Sequence, residues 1–246
     1  MEAVYTVWLR EMIRYFRAKE RIVGSIAMPL FWLLIFGGSM SSSVSLISGI
    51  DYRTFITPGI LAMTLVFTSV FSGISVIWDR ELGFMKEMLI APVSRTSIMI
   101  GKALGSSTAS LIQATVVLII SIIIGVKISA TSFLLLIPGM ILFALGMVGI
   151  GISIASVLKN MEGFHLIVNF LVMPMFFLSG ALFPISNLPS WLKIITYIDP
   201  MTYAVELFRY TITGVSTFNP MLSFGVISGF TFLMIFLGGY LFSRRD

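Results

Sequence analysis

The sequence predicts an all-α membrane protein with six transmembrane helices, and three observations carry that prediction. Six apolar stretches, at 22–40, 56–78, 104–125, 133–157, 164–180 and 221–242, each have a length that can cross a hydrocarbon core. Charged residues make up only 11% of the chain and hydrophobic ones 57%, whereas a soluble domain carries roughly 25% charged residues. Basic residues crowd onto alternate connections: Arg10, Arg14, Arg17, Lys19, Arg21, Arg80, Lys86, Arg95, Lys102, Lys159, Arg244 and Arg245 fall on one side, against Arg53, Lys127, Lys193 and Arg209 on the other. The positive-inside rule then places both termini in the cytoplasm of a multi-pass cell-membrane protein.

The first element, residues 1–21, reads as an amphipathic helix. Arg10, Arg14, Arg17 and Arg21 recur at helical spacing as a basic stripe, while Val4, Tyr5, Trp8, Met12, Tyr15 and Phe16 cluster on another face. Such a helix suits the headgroup layer, with arginines on phosphates and aromatics in the acyl boundary. Simple anchoring and contact with a partner subunit both remain open for it. The apolar run after it ends in Ser41, Ser42 and Ser43 with no small-x-small pattern, so it is expected to stay in the mature protein.

Between the second and third stretches lies a cytoplasmic loop, 79–103. Residues 84–90 have helical composition, Gly83 and Pro92 bracket them, and Ser94 is placed to cap the next helix. Met85, Met88 and Leu89 add an apolar patch that a plain solvated turn would lack, which favours docking against something in the cytosol. The next cytoplasmic connection, 159–163, is very short. Gly101 with Gly105, and Gly225 with Gly229, form GxxxG pairs that we read as intramolecular packing rather than self-association. No internal repeat or long linker divides the chain, so 1–246 is read as one domain.

The segment 181–219 is too apolar for an ordinary loop and too broken to span. Pro184, Pro189 and Pro200 each stop or reset a helix. The pieces left, of about ten and about thirteen residues, reach roughly 15 and 20 Å against a core of roughly 30 Å. Irregular backbone at membrane depth survives only where protein or a wet cavity satisfies it. The segment is therefore expected to enter from the extracellular side and turn back, as a gate would.

Several chemistries are excluded. Cysteine is absent, which removes disulfides and thiolate sites. His165 is the single ionisable residue within the six stretches, near a boundary, and Gln113 and Asn169 are poor substitutes for the carboxylates that gradient-driven transporters use. Gly101-Lys102 looks like the end of a phosphate-binding loop, yet Thr96 stands where the first glycine belongs and Ala103 where Ser or Thr would hold magnesium. No HExxH or GxSxG motif is present, and Glu81 with Glu87 reads as a solvated face. No catalytic, cofactor-binding or metal site is expected in this chain.

Two stretches carry a family resemblance. Asp79-Arg80-Glu81-Leu82-Gly83, Lys86 to Leu89, Ala91-Pro92-Val93-Ser94-Arg95 and Gly101-Lys102 form the first; Leu178-Ser179-Gly180, Phe183-Pro184, Leu188-Pro189, Trp191-Leu192, Asp199-Pro200, Tyr203 and Glu206 to Arg209 form the second. The chain resembles the permease subunits of ABC-2 type transporters, the group of daunorubicin-resistance-like drug exporters and of polysaccharide and lipid exporters. It departs in Asp79, where relatives often have Glu; in Phe84, where Thr is usual; and in Asp199, where Asn is frequent.

The resemblance implies a half-transporter. Two permease chains, as a homodimer or heterodimer in the bilayer, would sit on two copies of a separate ABC ATPase that binds ATP and Mg, with no nucleic acid involved. It implies ATPase-coupling residues Asp79, Arg80, Glu81, Leu82, Gly83, Lys86, Glu87, Met88, Leu89 and Pro92. It implies extracellular gate residues Gly180, Phe183, Pro184, Pro189, Trp191, Asp199, Pro200, Tyr203, Glu206 and Arg209. Tyr203, Glu206 and Arg209 follow at i+3 spacing; Glu206 and Arg209 are expected either to pair and hold the gate shut or to sit separately in water. Phe170, Met173, Met175, Phe176 and Phe177 are candidates for a substrate pathway or plain packing. The cargo expected is hydrophobic or amphiphilic, a drug or lipid. The alternatives are a polysaccharide or glycolipid exporter or, in another class, a channel or scaffold with no ATPase.

Overall fold

The structure, a computed structural model, describes residues 2–39, 50–84, 93–158 and 160–245. Ten α-helices run through them. In chain order they are α1 (Glu2–Arg17), α2 (Lys19–Ser39), α3 (Tyr52–Phe71), α4 (Ile74–Glu81), α5 (Arg95–Ile123), α6 (Ala130–Val157), α7 (Met161–Leu178), α8 (Ser190–Ile198), α9 (Pro200–Thr213) and α10 (Pro220–Arg245). A single 3₁₀ turn, Ile185–Asn187, precedes α8, and the described residues contain no strand. The all-α reading therefore holds. Five helical segments are long and apolar enough to cross a membrane: Tyr52–Glu81 (α3 with α4), α5, α6, α7 and α10. Counting α1 and α2 as one span bent by 70° makes six.

Ser129, Asn160 and Ser94 cap α6, α7 and α5, each side chain accepting from the backbone N–H three residues on. Ser94 does what its position predicts. The third helix nevertheless starts earlier than its apolar run suggests. Residues 95–103, assigned from sequence to the cytoplasmic loop, are the first turns of α5, and Asp79 to Glu81 close α4. Helix propagation past the charged residues is favoured because Lys102 is buried by neighbouring helices rather than left in water.

α3 is the centre of the bundle. Ile56, Ile60, Leu61, Leu65 and Val70 are buried, with α2, α5, α6 and α9 packed around them. Close crossings are made at glycines. A Cβ on Gly73, between α3 and α4, would strike the Gly151 carbonyl of α6, and one on Gly151 would strike the Val70 carbonyl. Gly101 and Gly105 face α1, where added Cβ atoms would lie 2.7 Å from Val7 Cβ and 2.6 Å from Glu11 Cβ. That GxxxG pair packs within the chain. Gly225 and Gly229 have open space around them.

The face of α1 that packs on α5 holds Val7, Glu11 and Met12, while Tyr5, Leu9, Ile13 and Phe16 form the exposed apolar stripe. The apolar cluster read from sequence is thus split, with Met12 turned inward. The reason is the glycine seam on α5, which lets α1 approach closely along its Val4–Val7–Glu11 edge.

Candidate functional site

The bundle carries two charged clusters, one at each end. At the basic end, α4 delivers Asp79, fully buried, one helical turn beyond Ser75. Its Oδ1 accepts from Arg10 Nη2 and Arg14 Nη2, each at 2.8 Å, and its Oδ2 accepts from Lys102 Nζ. Lys102 is 1% exposed and also donates to Glu11 Oε1 at 3.3 Å and Ser75 Oγ at 3.5 Å. Four charged side chains, Arg10, Glu11 and Arg14 of α1 and Lys102 of α5, therefore gather around the buried Asp79 carboxylate of α4. Burying a charge costs several kcal/mol unless partners and hydrogen bonds offset it, so the three helices are held in one register by their need for each other.

Neighbouring residues attach the end of α4 to the rest of the bundle. Arg80 Nη1 donates to the carbonyls of Leu158 at 3.2 Å and Ala155 at 3.4 Å, where α6 ends and its last carbonyls lack helical partners. Glu81 and Leu82 are exposed, and Gly83 has φ +78°, a left-handed turn that favours glycine. Phe84, the departure from the usual Thr, lies under the Arg10 guanidinium at 5.6 Å. Lys86, Glu87, Met88, Leu89 and Pro92, and the short helix read over 84–90, fall outside the described residues apart from Phe84.

At the opposite end, the proline-broken segment forms two short helices as its spacing predicts. α8 has 9 residues and α9 has 14. Asp199 caps α9, its Oδ1 accepting from Met201 N at 2.8 Å, with Pro200 at the first helical position and Gly214 closing the helix at φ +74°. Glu206 is fully buried and Arg209 is 4% exposed. They pair directly. Arg209 Nη2 also donates to the Gly180 carbonyl at 2.7 Å and its guanidinium stacks 4.2 Å over the Phe55 ring of α3, while Glu206 Oε2 accepts from Thr217 N. Of the two sequence readings, the paired and buried one is what the fold adopts.

Tyr203 does not join that pair. Its hydroxyl donates to the Tyr197 carbonyl at 2.8 Å and its ring stacks on Phe218, so it ties α9 to α8 and to the loop beyond. Six residues separate Tyr203 from Arg209, and 3.6 residues per turn carries the tyrosine off their face. Gly180 takes φ +73° and Phe183, Pro189 and Trp191 stay exposed, while Pro184 is half-buried. Burial pushes the Asp199 carboxyl up to about 7, against the opposing cap hydrogen bonds from Met201 N and Thr202 Oγ1.

The pathway residues divide. Phe176 is buried in an edge-on contact with Trp32, ring centroids 5.7 Å apart, which makes it packing rather than lining, and Met175 is half-buried against the core. Phe170 is 80% exposed, and Met173 and Phe177 lie on the same outer surface of α7. Sequence reasoning gave Glu11 no role, and quoted Lys102 as part of the first resemblance stretch without a partner. The available signal was Lys102 itself: a lysine entering an apolar helix needs a carboxylate, and Asp79 and Glu11 lie on the same predicted side of the membrane.

The sequence that builds this arrangement matches known proteins along most of its length. A family model described as "ABC-2 type transporter" matches residues 2–213. The chain is 30% identical over 214 residues to the transport permease ycf38 of Cyanophora paradoxa, covering 85% of this chain and 74% of that protein. It is 31% identical over 159 residues to the "Probable multidrug ABC transporter permease YbhR" of Escherichia coli, covering 64% and 43% respectively. It is 23% identical over 228 residues to the inner membrane transport permease YadH of Escherichia coli, covering 92% and 88%. With a match running from the first turns of α1 to the end of α9, this chain belongs to the ABC-2 type transporter family and is a transmembrane permease of that family.

Proposed function

We propose that the chain is the membrane subunit of an ATP-driven exporter that moves a hydrophobic or amphiphilic substrate, a drug or lipid, out of the cytoplasm. ATP and Mg belong to a separate ABC ATPase, present in two copies beneath two permease chains. The basic end, with both termini, faces the cytoplasm, and the α8–α9 segment forms the outer gate. The observation that carries this reading is the buried cluster of Arg10, Glu11, Arg14, Asp79 and Lys102, placed at the last turn of α4 directly before the segment whose motif resembles the family's ATPase-docking loop.

A push on residues 82–94 would act on the end of α4. Asp79 hands that displacement to α1 and α5, and Arg80 hands it to α6. α3 continues from α4 to the far end, where Tyr52 donates to the Leu182 carbonyl at 3.2 Å and Phe55 lies under Arg209. One long element thus touches both clusters. Such a connection allows a two-state shift at one end to bias the other. The multidrug name of YbhR supports a drug-like cargo, and the inner-membrane name of YadH supports the cell membrane as the location.

The test is reconstitution with the ATPase subunit that co-purifies with the tagged chain. ATP-dependent efflux of an amphiphilic dye is expected, and Met88→Asp with Leu89→Asp should reduce it at least about tenfold, a loss of about 1.4 kcal/mol of coupling. Efflux that persists in the double variant, or solute flux through the chain with no ATPase present, would overturn the reading.

A further inference from the structure

Under α1 lies a cavity of about 840 Å³, within one chain, between α1, α2, α3 and α5. Its size falls in the range of roughly 300–1,000 Å³ typical of ligand sites. On the α3–α4 side the wall runs from Met63 through Phe67 and Phe71 to Trp78, 15 residues or roughly 20 Å along the bundle axis. Met28 and Pro29 of α2 and Ala109 of α5 continue the apolar wall. This is a long slot, the shape of an extended chain rather than of a compact ring system.

The hydrogen-bonded and charged groups concentrate at two levels. Deep in the slot, Gln113 Nε2 donates to Ser25 Oγ at 2.6 Å and Gln113 Oε1 accepts from Thr68 Oγ1, a network satisfied within the protein. At the basic end the rim carries Arg14, Arg17, Lys19, Glu11 and Glu20. Arg14 and Glu11 are committed to the buried cluster. Arg17 and Lys19 are exposed and make no ion pair among the described residues, against the one remaining carboxylate, Glu20. The rim is therefore cationic where the slot is apolar, and Ser106 and His165 supply polar side chains between the two levels.

We infer that this slot binds an amphiphile with an anionic headgroup, its tail between Phe67 and Ala109 and its headgroup at Arg17 and Lys19. The inference deepens the exporter reading and rests on it only for the side of the membrane from which the ligand enters. The shared chemistry fits two sources, a resident anionic lipid of the bilayer or the cargo on its way out.

The full chain in phosphatidylcholine nanodiscs, given a nitroxide-labelled phosphatidylglycerol, should show a motionally restricted spectral component that nitroxide-labelled phosphatidylcholine gives several-fold more weakly. Arg17→Glu with Lys19→Glu, both on the surface and outside the buried cluster, should abolish that preference, since each basic group near a headgroup is worth about fivefold. Ala109→Phe should remove the component with the thermal midpoint retained. Equal immobilisation of both lipids, or full immobilisation in the filled-slot variant, overturns the site. With the ATPase present, ATP-driven appearance of the label in the far leaflet of a vesicle identifies the site as a cargo site. Retention of the component through turnover identifies a resident lipid. ATP-driven transfer at the unaltered rate in Ala109→Phe, with the component gone, would sink the cargo assignment of the site and leave the exporter standing. A component that persists while the complex transports no amphiphile would sink the exporter and leave the site.

Discussion

The two buried charge clusters are built on opposite plans. The one at the basic end, inner in the proposed orientation, gathers side chains from positions 10, 11, 14, 79 and 102, so it joins three helices distant in sequence. The outer one is a pair three residues apart on a single helix, and it grips the rest of the molecule through backbone groups, the Gly180 carbonyl and the Thr217 N–H, and through the Phe55 ring. The inner cluster is a joint with several partners per charge. The outer one is a wedge whose two ends have fixed donor and acceptor roles. A joint tolerates loss of a spoke but not of the hub, whereas a wedge tolerates neither inversion nor removal.

The largest expected effect tests the hub. Asp79→Ala leaves Lys102 buried with Glu11 as its remaining carboxylate and takes the shared carboxylate away from Arg10 and Arg14, and should destabilise the chain by roughly 3–5 kcal/mol. Lys102→Met leaves Asp79 with Arg10 and Arg14, and should cost less than half as much. Thermal unfolding of the detergent-solubilised protein compares them. Equal losses would break the distinction between hub and spoke.

The next effect tests the wedge. Arg209→Met strands a fully buried Glu206 and is expected to cost about 2–4 kcal/mol, with leakage through the closed transporter as its functional sign. Exchanging the two residues, Glu206→Arg with Arg209→Glu, should fail to rescue either stability or closure. The Gly180 carbonyl needs a donor from position 209 and the Thr217 N–H needs an acceptor from position 206. Full rescue by the exchange would mean that the pair acts through its own attraction alone.

The same contrast explains how much of the molecule could be read beforehand. Much that is local was legible: the apolar helices, Ser94 as a cap, the Asp199-Pro200 start of α9, and the lengths of the pieces between prolines. Each depends on residues within a turn of one another. The Glu206–Arg209 pair was reachable for the same reason, being i, i+3 on one helix. The inner cluster was hidden because Glu11, Asp79 and Lys102 meet only after three helices pack, and pattern alone gave no distance between them. Phe176 and Phe170 show the limit on the other side. Both belong to one aromatic run, yet one is core and the other surface, a difference that composition alone does not give.

The smallest effect concerns the cap that joins the outer wedge to its turn. Asp199 stands where family members often carry Asn, and its carboxyl is pushed up to about 7 by burial. Unfolded, the same group titrates near 3.9. Below about pH 4 both states are protonated and the carboxyl costs nothing. From there to about pH 7 the unfolded chain releases its proton while the folded one keeps it, so stability falls as pH rises, and above pH 7 the whole cost is present. Asp199→Asn retains an oxygen for Met201 N and an N–H that can face Thr202, yet carries no charge. It should therefore raise stability at pH 8 by a fraction of the about 4 kcal/mol that a shift of this size corresponds to, with little change at pH 4, and flatten the pH dependence between them. Transport measured across that window should lose its decline in the variant if the cap governs closure. If the slope of stability with pH is the same with Asp or Asn at 199, the cap is wetter than its burial indicates, and the outer end then differs from the inner one in solvation as well as in plan.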